Sequence, residues 1–187
     1  MATPFSETLG AYARLIEKGK IRWCGASNLT VALLEAAIAV AKAHGLPRYE
    51  ALQPEYNLVD RAGFEGGLAG ICRREEIGVI TYFSLAKGFL SGKYRSAADL
   101  DKSPRGGAVK DYLSPRGFRI LDALEAVASR HEATPAEVAL AWIIARRGVA
   151  APIASATSVE QADSLVRAIE LSLSEADMAA LNEASAP

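Results

Sequence analysis

The most informative stretch of the chain is Gly78-Val79-Ile80-Thr81-Tyr82-Phe83. It is rich in β-branched residues and almost entirely apolar, which is typical of a parallel strand buried on both faces. A helical apolar pattern precedes it over 64–76, and a glycine-containing segment without regular periodicity follows it over 84–113. The stretch therefore predicts a central strand of a sheet that is covered by helices.

Outward from this stretch, the hydrophobic pattern predicts three more strands, at 21–26, 49–56 and 149–155. Helical segments precede, separate and follow them, and most of these begin at a recognisable start signal. The start signals are Thr3-Pro4, Asn28 or Thr30, Ser114-Pro115, the capping boxes at Thr134 and Ser158, and Ser174. Regular alternation of strands and helices predicts a parallel sheet with right-handed crossovers.

Two architectures satisfy this alternation, an open doubly wound sheet and a closed (β/α)₈ barrel. An open sheet normally carries a glycine-rich phosphate turn after its first strand. The segment Gly25-Ala26-Ser27-Asn28 has one glycine, and the sequence contains no GxGxxG. A complete barrel has eight units and typically ~250 residues. Four strands therefore predict an α/β fold consisting of a partial (β/α)₈ TIM barrel, with 1–187 as a single domain.

The amino-acid composition argues against several classes of function. The chain has 187 residues, of which 50% are hydrophobic, and its formal net charge is −1. This balance argues against nucleic acid and against an anionic membrane surface as partners. Two cysteines without CxxC spacing argue against a zinc site or a disulfide framework and favour a cytoplasmic location. We also expect no signal peptide and no membrane-spanning segment.

Polar residues follow all four predicted strands, and in barrel enzymes the active-site residues lie at these strand ends. They are Ser27 and Asn28; Gln53, Glu55, Tyr56 and Asn57; Tyr82 and Ser84; and Ser155, Thr157 and Ser158. Serine and asparagine at such junctions also cap helices, and this simpler explanation stays open for each one. Together, amides and hydroxyls suit a ligand that donates and accepts hydrogen bonds, such as a carboxamide. The aromatic face of Tyr82 suits a flat ring.

The loop 84–113 carries Lys87 and Lys93 among glycines. By themselves these residues favour a solvent-exposed loop, and phosphate binding is the alternative. Both histidines, His44 and His131, lie near predicted helix ends and are expected to be structural. Trp23 and Trp142 are predicted to lie in the core.

Four segments resemble the aldo-keto reductase family. The segment 19–28 (GKIRWCGASN) is similar to the family's GKIRxxGxSN strand, and 53–61 (QPEYNLVDR) to its QxxYNLxxR segment. The segment 82–94 (YFSLAKGFLSGKY) resembles YSPLAxGxLxGKY, and 152–161 (PIASATSVEQ) resembles PIxGASSxEQ. The resemblance covers essentially the whole chain. It implies the C-terminal half of a (β/α)₈ barrel, strands five to eight, that uses NADPH, or less often NADH.

The resemblance also implies residue roles. Ser27, Asn28 and Gln53 would bind the nicotinamide carboxamide, and Tyr82 would stack on the ring. Phe83, Leu85 and Lys87 would line the pyrophosphate, and Lys93 and Arg105 would meet phosphate. Ser155, Thr157 and Gln161 would hold the adenosine end. Three departures concern the same regions: Phe83 replaces a frequent Ser, Thr157 replaces an Arg of some relatives, and Ser164-Leu165 replaces a Glu-Asn pair that commonly holds adenine.

The family reduces aldehydes and ketones with a catalytic Asp, Tyr, Lys and His. In this resemblance Met1 falls just after the strand that carries the His, so none of the four is present in this sequence. We therefore expect a truncated reductase whose isolated chain is inactive. Two alternatives remain. One is a non-catalytic half-barrel that associates with itself, or with a separate N-terminal half, through exposed barrel edges. The other is an unrelated barrel lyase or isomerase with a phosphate site.

Overall fold

A computed structural model describes residues 3–103 and 106–187 of the chain. Its sheet has four parallel strands in the order β1-β2-β3-β4. The strands are β1 (Gly25–Ser27), β2 (Ala51–Gln53), β3 (Gly78–Thr81) and β4 (Val149–Pro152). The α-helices are α1 (Phe5–Glu17), α2 (Val31–His44), α3 (Ala62–Glu65), α4 (Leu68–Arg74), α5 (Pro115–Arg130), α6 (Pro135–Ile144), α7 (Val159–Glu170) and α8 (Glu175–Ala184). The α/β class and the four parallel strands are confirmed.

The predicted element bounds need correction at several places. All four strands are shorter than predicted, because ladder pairing exists only where neighbouring strands overlap. β1 lies at 25–27 rather than 21–26. The predicted helix 64–76 is two helices, α3 and α4, interrupted at Gly66-Gly67. Gly67 packs so closely on α2 that a Cβ there would lie 2.8 Å from Cγ2 of Val31.

Helix starts agree better with the sequence pattern. Ser114 and Thr134 accept hydrogen bonds from the third residues of α5 and α6, and Thr134 forms the predicted capping box with Glu137. Thr30 caps α2 in the same way. At α1, Pro4 rather than Thr3 is the N-cap residue, so the helix begins one position later than predicted.

The helices cover one face of the sheet. The strand order never reverses, so successive right-handed crossovers all advance in the same direction and leave their helices on the same side. Leu52, Val79 and Thr81 point to that side and are buried, whereas the alternate residues Ala51 and Ile80 are only half-buried. The sheet therefore has one covered face and one open face.

The two tryptophans have different environments. Trp142 is fully buried between Tyr56, at a ring-centroid distance of 5.4 Å, and the guanidinium groups of Arg61 and Arg146. Trp23 is 70% exposed, so its predicted core position is wrong. Cys24, the next residue, packs among α1, α2 and β1, and alternation along the chain therefore turns Trp23 towards the open face.

The long segment after β3 is more ordered than the sequence suggests. It contains three 3₁₀ stretches, Ala86–Ser91, Ala97–Lys102 and Gly106–Tyr112, which contact one another and α6. Phe89, Leu90, Tyr94 and Val109 of this segment are buried in the core. Within residues 3–103 and 106–187, no helix has the length and apolar character required to cross a bilayer.

Candidate functional site

The carboxyl ends of the first three strands bring four of the predicted site residues together. Ser27 and Gln53 are partners in the ladder between β1 and β2, and the Ser27 hydroxyl donates to the Gln53 carbonyl at 2.9 Å. Tyr82, one residue beyond β3, donates its hydroxyl to Oδ1 of Asn28 at 2.7 Å. The predicted convergence of these side chains on one edge of the sheet is therefore present.

The side-chain amides of this cluster can still bind a ligand. Asn28 has a left-handed backbone conformation (φ 56°), which asparagine tolerates better than most residues. In the part of the chain that the structure describes, neither Nδ2 of Asn28 nor the side-chain amide of Gln53 has a hydrogen-bond partner. Nδ2 of Asn28 can donate to the oxygen of a carboxamide, and the Gln53 side chain can both donate to a carboxamide and accept from it. The residues present therefore fit a nicotinamide.

The environment of Tyr82 keeps its hydroxyl protonated. Burial raises the pKa of Tyr82, and the carboxylates of Glu55 and Asp60 raise it further. The ring of Tyr82 lies 5.1 Å from that of Phe83 in an edge-to-face arrangement. The phenol thus acts as a hydrogen-bond donor to Asn28 while its ring remains half-exposed.

The turn that follows β3 has an unusual backbone. Phe83, Ala86 and Lys87 all have left-handed conformations, with φ values of 49°, 48° and 58°, and Gly88 continues with φ 97°. Such conformations are uncommon for residues with a side chain and persist only where the surroundings enforce them. Three of them within five residues indicate that the surrounding structure enforces the shape of this turn.

Two lysines lie around this turn. Nζ of Lys87 lies over the rings of Phe83 and Tyr112, at 5.2 and 5.6 Å from their centroids. Nζ of Lys93 lies over the ring of Tyr94, and a Cβ on Gly88 would be 3.7 Å from it. The fold thus places both ammonium groups at the turn, where they provide the positive charge expected of a phosphate site. Leu85 is half-buried and packs on the core, and Arg105 lies outside the described residues.

Three residues that hold the turn were not assigned this role from the sequence. Buried Asn57 donates from Nδ2 to the carbonyl of Phe83 and to Oδ2 of Asp60, both at 3.0 Å. The Tyr112 hydroxyl donates to the same Asp60 oxygen at 2.9 Å. Asn57 and Asp60 belong to the quoted segment 53–61, which is a usable signal, whereas nothing in the sequence marks Tyr112.

Glu55 lies between two cavities beside this cluster. A cavity of about 240 Å³ is bounded by Asn28, Glu55 and Tyr82, and a second, of about 500 Å³, by Glu55, Asp60 and Arg116. Burial raises the pKa of Glu55, as do the charge of Asp60 and a hydrogen bond with it, while Lys87 opposes this shift.

The segment after β4 also lies at the carboxyl edge, because Pro152 pairs with Thr81 and the Ile153 amide donates to the Thr81 carbonyl. Oε1 of Gln161 accepts from the amide and the hydroxyl of Thr157, at 2.8 and 3.1 Å. Ser158 caps α7, but the Gln161 side chain bonds Thr157, so the predicted capping box is only half formed. Ser155 is exposed.

The two positions where the resemblance places an adenine-binding pair have other contacts here. The Ser164 hydroxyl donates to Oε1 of Glu137 at 2.8 Å, and Leu165 lines an apolar cavity beside β4. Arg167 contacts the same Glu137 oxygen. These contacts join α7 to α6.

The Aldo/keto reductase family profile matches residues 1–186. "Probable aldo-keto reductase 1" of Glycine max is 29% identical over 189 residues, with 98% of this chain and 51% of that protein covered. Protein tas of Escherichia coli (strain K12) is 32% identical over 177 residues, with 93% of this chain and 51% of that protein covered. The chain thus spans about half the length of the curated relatives it matches.

A solved aldo-keto reductase structure has a similar fold. The thermostable aldo-keto reductase Tm1743, crystallised with the inhibitor epalrestat, superposes with a TM-score of 0.75 and 27% identity. The superposition covers 97% of this chain and 55% of the other. Because the family profile spans nearly every residue and the fold agrees, the chain belongs to the aldo/keto reductase family.

Proposed function

We propose that this chain forms strands five to eight, the C-terminal half of an aldo-keto reductase barrel, as one domain over 1–187. Three observations support this assignment. The strand order advances without reversal, the helices occupy one face, and the length is about half that of the relatives. An open doubly wound sheet would require a reversal of strand order.

The proposed role of this half is to hold a nicotinamide cofactor, NADPH or less often NADH. The observation that carries the proposal is the cluster of Ser27, Asn28, Gln53 and Tyr82 at the carboxyl edge of the sheet. The amides of Asn28 and Gln53 and the Ser27 hydroxyl would bind the carboxamide, and Tyr82 would offer its ring face. When bound, the cofactor would supply a hydride to the carbonyl carbon of a small aldehyde or ketone.

The turn after β3 would receive the pyrophosphate. Phe83, Leu85 and Lys87 line this turn, and its left-handed backbone brings it close to the ammonium group of Lys93. We propose Lys93 and Arg105 as the residues that meet phosphate. We further propose the 84–113 loop as the cofactor cover.

At the adenosine end we propose Ser155, Thr157 and Gln161. Supporting this, Thr157 and Gln161 are hydrogen-bonded to each other at the N-terminus of α7. A helix N-terminus favours anionic groups, because its first amides are unpaired and its dipole is positive.

The carbonyl chemistry itself requires groups that this sequence does not match. None of the positions that resemble the family carries its catalytic Asp, Tyr, Lys or His. We therefore propose that the isolated chain is truncated and reduces carbonyl compounds negligibly, although it belongs to an oxidoreductase family. A cytoplasmic location stays a prediction from the cysteine content.

Isothermal titration with NADPH and NADH tests the binding proposal. We expect saturable binding, and we expect Lys93→Ala to weaken NADPH more than NADH if Lys93 meets the extra phosphate. Lys42→Ala is the matched control, since Lys42 is exposed in the last turn of α2 and pairs with Glu75. Absence of heat for both dinucleotides, with the chain folded by circular dichroism, would contradict the proposal.

A separate assay tests the inactivity of the isolated chain. NADPH oxidation is followed at 340 nm with a panel of aliphatic and aromatic aldehydes. We expect no rate above the buffer blank, and saturable turnover by the pure chain would show that the proton donor is present after all.

The second candidate function is a non-catalytic half-barrel that acts by association. The observation in its favour is the pair of outer strands, β1 and β4, each with a neighbour on one side only in the described part of the sheet. Open strand edges recruit partners. Size-exclusion chromatography with light scattering tests this candidate, because a chain that stays monomeric at high concentration would contradict it.

A further inference from the structure

Arg95 joins the 84–113 loop to helix α5 through two ion pairs. One terminal nitrogen of its guanidinium group lies 2.6 Å from Oδ1 of Asp122, and the other lies 2.5 Å from Oε1 of Glu125. The two acidic residues are three positions apart in α5, so their side chains are neighbours on one face of the helix. Because a guanidinium group presents several donors in one plane, a single arginine can neutralise both carboxylates.

The Glu125 carboxylate also lies beside the segment that carries Lys93. A Cβ on Gly92 would be 3.8 Å from Oε1 of Glu125 and 3.5 Å from Cγ of Pro135, the first residue of α6. Gly92 has a left-handed backbone conformation (φ 82°), which glycine adopts without steric cost. Lys93, the next residue, is exposed and has a flexible four-carbon stem. Glu125 is therefore within reach of the Lys93 ammonium group.

In the structure the Lys93 ammonium group is directed elsewhere, to the turn after β3. Its Nζ lies 5.1 Å from the centroid of the Tyr94 ring and 3.7 Å from the position that a Cβ on Gly88 would occupy. Within residues 3–103 and 106–187, Lys93 forms no ion pair. Its charge is thus available at the turn proposed to receive the pyrophosphate.

The position of Lys93 depends on the neutralisation of the two carboxylates. An acidic side chain without a partner attracts a cation that can approach within a few ångströms. With Arg95 absent, Lys93 would be such a cation, because it is two positions away on the same segment and Glu125 lies beside Gly92. Lys93 would then turn from Gly88 towards α5. The unpaired carboxylates would also repel a phosphate bound near the same segment.

We propose that Arg95 is a positioning residue for cofactor binding: by neutralising Asp122 and Glu125, it keeps Lys93 free to meet phosphate. This inference rests on the proposed cofactor role of Lys93. Arg95 itself contacts α5 and acts on the ligand through Lys93. All four charged side chains are at least partly exposed, so solvent and salt screen their interactions. The effect is therefore expected to be of moderate size and to depend on ionic strength.

Isothermal titration with NADPH at low ionic strength tests the proposal. We expect Arg95→Ala to weaken binding about three- to tenfold, and Arg95→Lys, which keeps the charge, to retain most of the affinity. The difference between Arg95→Ala and wild type should shrink as NaCl is raised to about 0.5 M, because salt screens exposed charges. Arg74→Ala is the matched control and should leave the affinity unchanged, since Arg74 also pairs with two carboxylates, those of Glu35 and Glu75, but lies at the end of α4.

Substitution of the two carboxylates separates charge neutralisation from mechanical anchoring of the loop. Asp122→Asn with Glu125→Gln should restore NADPH affinity to the Arg95→Ala chain, because α5 then has no acidic side chain to attract Lys93. The same two substitutions in the wild-type chain should not weaken binding, although they remove both ion pairs. The proposal would be overturned if the triple variant bound as weakly as Arg95→Ala, if loss of the carboxylates alone weakened binding equally, or if Arg95→Ala bound like wild type.

Acetylation of the Lys93 amine gives a measurement that requires no dinucleotide. Limited reaction with acetic anhydride is followed by mass spectrometry, with exposed Lys20 as the internal reference. We expect Lys93 to react at least about twofold more slowly in Arg95→Ala than in wild type, because its ammonium group is then paired, and to recover in the triple variant. Circular dichroism verifies that each variant is folded.

The two measurements together separate this inference from the proposed function. Slower acetylation of Lys93 in Arg95→Ala, in a chain that binds neither NADPH nor NADH, would support the neutralisation by Arg95 and refute the proposed cofactor role. Unchanged acetylation and unchanged affinity in Arg95→Ala, in a chain that binds NADPH, would refute this inference alone.

Discussion

Tyr82 donates its hydroxyl to Oδ1 of Asn28 at 2.7 Å, and this contact joins the ends of β3 and β1 across the intervening end of β2. The two residues are 54 positions apart in the sequence. The bond fixes the position of the Tyr82 ring and leaves the second polar atom of the Asn28 side chain for a ligand. The polar cluster is therefore organised by the protein itself, which reduces the cost of ordering it on binding.

Substitutions at Tyr82 separate the role of its ring from that of its hydroxyl. Tyr82→Phe keeps the stacking face and loses one hydrogen bond, so we expect NADPH affinity to stay within about threefold of wild type. Tyr82→Ala removes the stacking surface, a loss of about 1–3 kcal/mol for an aromatic platform, or roughly tenfold or more in affinity. Isothermal titration measures both. Equal losses for the two variants would show that the ring contributes nothing beyond its hydroxyl.

The anchoring of the 84–113 loop by Tyr112 and Asp60 gives a second prediction. Tyr112→Phe deletes the 2.9 Å hydrogen bond to Asp60 and keeps the ring beside Lys87, so it should cost about 1 kcal/mol of stability. We expect faster amide hydrogen exchange in the Ala86–Ser91 stretch than in wild type, because the turn loses part of its support. Tyr12→Phe, in α1, is the control and should leave exchange in this stretch unchanged.

The sequence alone predicts the alternation of strands and helices along the chain, but not the exact bounds of the strands. Strand composition and the helix start signals gave the correct order, because caps and apolar periodicity are local properties. The shortness of the strands depends on how far neighbours overlap, which no single segment reveals. The exposure of Trp23 was missed for a related reason: an apolar residue is normally buried, and only the uncovered face of this sheet leaves it in solvent.

The candidate site was predictable where it follows strand ends. Ser27, Gln53 and Tyr82 each come directly at or after a strand, and parallel strands bring such residues to one edge. Asp60 lies in the quoted segment 53–61, but its contact with Tyr112 was not predictable, because Tyr112 is 52 positions away and no sequence signal marks it. The left-handed conformations of Phe83 and Ala86 were also not predictable from the sequence, because both residue types normally avoid them.

Two glycine substitutions give a third prediction with an internal control. A Cβ on Gly117, in the first turn of α5, would lie 1.9 Å from the Tyr112 carbonyl oxygen, so Gly117→Ala must displace the end of the loop or the helix. We expect a loss of at least about 2 kcal/mol. Gly70 lies within α4, where a Cβ would meet nothing within 4 Å, and Gly70→Ala should stabilise by about 0.5–1 kcal/mol. Urea unfolding measures both, and a neutral Gly117→Ala would contradict the close approach.

Asp177 gives a fourth prediction, on the dependence of stability on pH. Its carboxylate accepts from Ser174 at 2.6 Å, from Arg130 at 2.5 Å and contacts Nε2 of His131 at 2.9 Å, and these contacts lower its pKa below the ordinary 3.8. A carboxyl group with a lowered folded-state pKa stabilises the native state above its unfolded pKa. That contribution is lost as the pH falls from 3.8 towards the folded value. We therefore expect Asp177→Asn to cost about 2 kcal/mol at neutral pH, in line with the loss of a helix cap and charged hydrogen bonds.

The pH series decides whether the charge of Asp177 is the cause. In urea unfolding, the difference between wild type and Asp177→Asn should shrink steadily below about pH 4, because there the Asp177 carboxyl of the unfolded chain binds a proton while that of the folded chain stays charged. Asp101→Asn, at an exposed aspartate in the Ala97–Lys102 stretch, should show no such difference at any pH. If the Asp177→Asn deficit instead persisted unchanged down to about pH 2, lost packing or altered geometry would be responsible. The contacts of Asp177 with Arg130 and His131 would then contribute little to holding α8 against α5.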